Sequence, residues 1–150
     1  VDTNPVGLAS EALHSLSWYE GVLERHGQRL FSKPTPDGYA DTGPEWVSSD
    51  GMLRRWETAG LLAHNELADG VVVDAQALVP NPLPATMGEL VDAMVSALTG
   101  GSPSNAEQAA YLTYLGAAVD DAAATNPFAD AGLLDDFIGL CLSRPAFQYR

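Results

Sequence analysis

Thr86 and Glu89 stand three residues apart ahead of an apolar run, and so do Ser104 and Glu107. At that spacing the hydroxyl accepts from the backbone N–H three residues on, while the carboxylate reaches back to the N–H of the hydroxyl-bearing residue. Two helix starts are therefore marked by specific hydrogen-bond chemistry as well as by propensity. The stops are as plain: Gly100-Gly101 closes the segment begun at Thr86, and Gly27 and Asp69-Gly70 follow two others. A chain punctuated in this way folds into short helices joined by loops.

The apolar spacing agrees. Leu8, Ala12, Leu16, Tyr19 and Leu23 recur at helical intervals after Asn4-Pro5 and predict a helix near residues 5–26. Ser48 caps a second, expected to end near Ala68, with Leu53, Trp56, Gly60, Ala63, His64 and Leu67 on one side. The third runs from Thr86 to about Leu98, and the fourth, from Ser104, turns Ala109, Leu112, Leu115 and Val119 inward. The fifth, from about Asp130 to Leu142, presents Leu134, Phe137, Ile138 and Cys141 together, and Arg144-Pro145 ends it. Between helices lie two long proline-rich connections, residues 28–47 and 69–85, and Val71-Val72-Val73 amounts at most to a very short strand. The predicted fold is all-α, with about five amphipathic helices and two long proline-rich loops, in a single helical domain spanning 1–150.

Charge narrows the partners. The chain carries 7 Lys+Arg against 20 Asp+Glu, a net charge of −13, and no Lys or Arg lies between Arg55 and Arg144. The twelve carboxylates of that stretch are expected to face solvent, since burying unpaired charge is costly. Such a surface repels phosphate backbones and anionic lipid, so nucleic acid is not an expected partner. No apolar run reaches the roughly 18 residues of a spanning helix, so no membrane span is expected. The opening Val1-Asp2-Thr3-Asn4-Pro5 has neither an initiator Met nor the basic and apolar regions of a signal peptide, as in a mature or cut product.

The residues that usually carry chemistry are sparse. His14, His26 and His64 stand in no metal-binding spacing, and His64 falls on an apolar stripe as a core histidine would. Cys141, the single cysteine, sits among apolar neighbours that make a thiol inert. No metal and no cofactor is predicted. Asp37 and Asp41 flank a turn that either serves as an ordinary corner or holds calcium weakly, and both readings stay open.

The most distinctive text is Leu30-Phe31-Ser32-Lys33-Pro34-Thr35-Pro36-Asp37-Gly38-Tyr39-Ala40-Asp41, followed by Glu45-Trp46-Val47-Ser48 and Leu53-Arg54-Arg55-Trp56. With the ending Leu142-Ser143-Arg144-Pro145-Ala146-Phe147-Gln148-Tyr149-Arg150, it resembles the C-terminal region of a large bacterial family known as domain of unknown function 1800. The resemblance implies a largely helical fold and frequent export from the cytoplasm, hence an extracytoplasmic location, periplasmic or secreted. It implies no established reaction. Because members of that family are longer, it also implies that this chain is the C-terminal part of a larger protein.

Prolines that preset the backbone make the loop stiff before anything binds it. Lys33, Asp37, Tyr39, Asp41, Arg54 and Arg55 are therefore the candidate binding residues, as a loop beside a cationic spot suited to an acidic group. Trp18, Tyr19 and Trp46 are the candidate interface anchors, large aromatics outside the clearest core stripes. The expected role is structural or in protein interaction, with the N-terminal portion of the same protein or another chain as partner. The alternative is a hydrolase-type enzyme whose site is shared with an N-terminal portion.

Overall fold

The computed structural model describes residues 18–27, 29, 49–124 and 127–148. The fold is all-α. Residues 18–25 are helical (α1), followed by α2 (Ser49–Ala63), α3 (Met87–Thr99), α4 (Asn105–Leu115), α5 (Ala131–Leu142) and α6 (Pro145–Gln148). Two 3-10 turns, Ala75–Leu78 and Pro127–Ala129, precede α3 and α5. Two compact units divide the chain inside α2, Val1–Thr58 and Ala59–Arg150.

Both capping boxes form. Thr86 Oγ1 accepts from the Glu89 amide at 3.3 Å while Glu89 Oε2 accepts from the amides of Thr86 and Ala85. Ser104 and Glu107 repeat the exchange at the start of α4. Gly100 and Gly116 then end α3 and α4 at φ +68° and +66°, a left-handed conformation that costs a glycine little.

The Gly116 stop corrects the sequence reading of α4. The helix ends at Leu115, so Val119 lies in the following turn and is exposed, and Ala109 also faces solvent. Val119 has a different task there. Its carbonyl accepts the Gly88 amide at 3.0 Å, and a Cβ on Gly88 would come within 2.6 Å of Val119 Cγ2. The absence of a side chain at Gly88 lets this turn lie against α3 without displacing Val119.

Helix α2 is also shorter than expected. It stops at Ala63, before Asn65 at φ +58°, and the Glu66 amide reaches back to the Leu61 carbonyl at 2.8 Å. The Asn65 side chain then pairs with both backbone groups of Val73, accepting at 2.5 Å and donating at 3.3 Å. Val71-Val72-Val73 forms no strand, and among the described residues the only β pairing is an isolated bridge between Thr86 and Ala122. A side-chain amide occupies the place that a partner strand would take at Val73.

The core of the second unit is built round α3. Leu90, Val91, Met94 and Val95 are fully buried and meet Leu134, Phe137, Ile138 and Cys141 of α5, with Tyr111 and Leu112 of α4 alongside. The Phe137 ring packs between Tyr111 and Phe128, at centroid distances of 5.3 and 4.9 Å, in the tilted geometry aromatic pairs favour. Ala63 and Gly60 approach Gly139 closely, so small residues bring the end of α2 onto α5.

Candidate functional site

Helix α1 ends where the Gly27 amide, at φ +72°, bonds back to the Glu24 carbonyl at 3.0 Å. Beside this turn, in the first unit, lie the first turns of α2. A polar cleft of about 360 Å³ opens there, lined by Glu24, Arg25, His26, Gly27, Asp50, Gly51 and Arg54. Thr58 fixes the histidine. Its hydroxyl donates to the Arg54 carbonyl at 2.9 Å, so at the 2.9 Å contact with His26 Nε2 the imidazole must be the donor.

The charges of the cleft are unequally engaged. Asp50 Oδ2 accepts from Arg54 Nε at 2.8 Å, an i,i+4 pair that raises the Arg54 pKa through that hydrogen bond and the attraction of the carboxylate. Glu24 meets Arg29 at 3.4 Å. The two terminal nitrogens of Arg54, and the whole Arg25 guanidinium, have no hydrogen-bond partner among the described residues. Two arginines that line the cleft thus keep donors without a partner among the described residues.

The candidate residues fall as follows. Lys33, Asp37, Tyr39, Asp41 and Trp46 lie outside the described residues. Arg54 belongs to the cleft, whereas Arg55 directs Nη1 to the Met52 sulfur at 3.9 Å and is not among the lining residues. Trp18 and Tyr19 form an edge-to-face pair on α1 at 5.9 Å, with Tyr19 exposed and Trp18 half-buried. The sequence reading missed Arg25 and His26 as cleft residues. Their signal was position, since both immediately precede the Gly27 stop.

In the second unit the ionic groups serve architecture. Arg144 is 7% exposed, and its guanidinium donates to Glu107, to the Thr99 hydroxyl and to the Gly101 and Ser102 carbonyls at 3.1–3.4 Å. One side chain thereby joins the end of α3, the start of α4 and the end of α5. Glu107 is accordingly only partly exposed, contrary to the expectation that the whole acidic stretch faces solvent. Its carboxyl is held below the usual range, first by the Ser104 amide and also by Arg144.

His64 departs from its expected place in the core. It is exposed and meets Asp136 Oδ1 at 2.9 Å, while the Tyr114 hydroxyl donates to Oδ2 at 3.2 Å. Burial and this bond both raise the Tyr114 pKa. A ring at the helix end projects past the apolar stripe, where a carboxylate from α5 receives it. The expected inertness of Cys141 matches its setting, where burial pushes the thiol up to about 12. Among the described residues, no three His, Cys, Asp or Glu side chains are grouped to hold a metal ion, and no helix is long and apolar enough to cross a membrane.

The resemblance carried by both ends of the chain extends across the described helices. A family model described as Protein of unknown function (DUF1800) matches residues 3–149. The chain belongs to the DUF1800 family. No curated protein and no solved structure matches it. The match includes residues 69–125, so family membership rests on the helical middle as well as on the distinctive loop and ending.

Proposed function

We propose that this DUF1800 chain is a structural and protein-interaction module of an exported bacterial protein, the C-terminal part of a larger polypeptide. Its partner is the N-terminal portion of that protein or another chain. The observation that carries the reading is on α2. Leu53 and Trp56, one turn apart and expected to face a core, are 61% and 47% exposed. Large apolar side chains displayed at i and i+3 on a helix suit docking into an apolar groove. In the second unit Arg144, Glu107 and Asp136 all bond to protein groups, so their polar chemistry is already used in holding helices together.

A photo-crosslinking amino acid at Leu53 of the natural protein, expressed in a bacterial host, tests this reading. We expect one discrete crosslinked product, formed with the upstream portion or with a second chain. A yield no greater than that from the same probe at exposed Ala118 would overturn it. Cell fractionation of the same protein tests export, with recovery outside the cytoplasm expected.

A further inference from the structure

We propose that the cleft between the end of α1 and the first turns of α2 binds the phosphate group of a small molecule, held between the guanidinium groups of Arg25 and Arg54. The proposal goes beyond the interaction role above and rests on different residues. Both arginines line the cleft; Arg25 has no partner among the described residues, and Arg54 uses only Nε, which leaves its two terminal nitrogens without one.

Guanidinium groups match oxyanions through paired, charge-assisted N–H bonds. Two of them present more donors than the two oxygens of one carboxylate take up, which favours phosphate. The acids nearby are partly neutralised, Asp50 by Arg54 Nε and Glu24 by Arg29. About 360 Å³ lies at the small end of ligand cavities, enough for a phosphate with a short organic portion. His26, held by Thr58 at 2.9 Å, adds an imidazole to the cleft lining. The net charge of −13 opposes any anion at long range, but at physiological salt that field is screened beyond about 8 Å.

The test is a titration of the ¹⁵N-labelled chain at 0.15 M salt with inorganic phosphate and, separately, with glycerol phosphate. We expect saturable shifts of the Gly27 and Gly51 amides, and none with added chloride. Equal affinities identify free phosphate as the ligand, and tighter binding of glycerol phosphate identifies a phosphomonoester; both support the proposal. The Arg25→Gln/Arg54→Gln double variant should bind at least tenfold more weakly, whereas Asp50→Asn, which removes a repelling carboxylate, should bind more tightly. All these residues lie at or near the surface, and far-UV circular dichroism checks that the variants fold. Absence of saturable shifts at Gly27 and Gly51, or a double variant that binds as the parent does, would overturn the proposal.

Discussion

Arg144 Nε donates to Glu107 Oε1 at 3.1 Å and Arg144 Nη2 to Glu107 Oε2 at 3.2 Å, a two-pronged pair between residues 37 apart in sequence. Glu107 Oε2 also accepts the Ser104 amide, so one carboxylate both caps α4 and anchors the end of α5. Further Arg144 bonds reach Thr99, the last residue of α3, and Gly101 and Ser102 just past it. Three helix ends share one buried cation.

Replacing Arg144 by Met should therefore destabilise the chain by about 3 kcal/mol, because Glu107 and two carbonyls lose their partner together. Arg144→Lys keeps the charge but not the fork, and should recover only part of the loss. Urea unfolding of the three proteins measures this. A midpoint unchanged in Arg144→Met would show that water replaces the guanidinium without cost.

Glu107 makes stability depend on pH. Its folded pKa lies below the unfolded carboxylate value, so the contribution is complete above the ordinary carboxylate range and is lost as pH falls through the folded value. Glu107→Gln keeps a side-chain acceptor for the cap but removes the charge. We expect its melting temperature to fall less steeply on acidification than that of the parent, with the two curves converging at low pH. Parallel curves would exclude Glu107 as a source of the acid sensitivity.

Gly88→Ala tests the turn packed on α3. Glycine to alanine inside a helix ordinarily stabilises by roughly 1 kcal/mol. Here the added methyl group meets Val119 Cγ2, so the sign should reverse to a loss of about 1–3 kcal/mol. Adding Val119→Ala should restore part of it. The Val119 carbonyl, 3.2 Å from the new Cβ, remains as backbone and keeps the rescue incomplete.

Cys141 should not react with thiol reagents while the chain is folded. It is fully buried, and a thiol pushed up to about 12 is almost wholly protonated at pH 8. Labelling should follow unfolding, accelerating in urea along the unfolding transition. Rapid stoichiometric labelling in buffer alone would mean that the end of α5 opens locally.

The helices were legible wherever the determinant was local. Thr86 with Glu89 and Ser104 with Glu107 set two starts because each hydrogen-bond exchange spans only three residues, and Gly100 ended α3 through its own backbone freedom. The stripe of Leu134, Phe137, Ile138 and Cys141 was equally readable, as period and burial coincide there. The cleft was half legible: Arg54 was marked by a scarcity of cations, but Arg25 and His26 enter it only because α1 and α2 come side by side.

What lay beyond the sequence were relations across long separations. Periodicity placed His64 in the core, but α5 brings Asp136, 72 residues away, to the helix end and holds the ring at the surface. It turned Val119 inward, but Gly116 releases the helix and Gly88 leaves room for the turn. It cast Arg144 as a helix stop, and only the meeting of three helix ends made it the buried centre of a network. Local hydrogen bonding and side-chain period are properties of a few neighbouring residues, so the sequence alone determined the elements and their ends. Which polar group is buried, and with which partner, depends on how the helices pack, and that was decided by the tertiary structure.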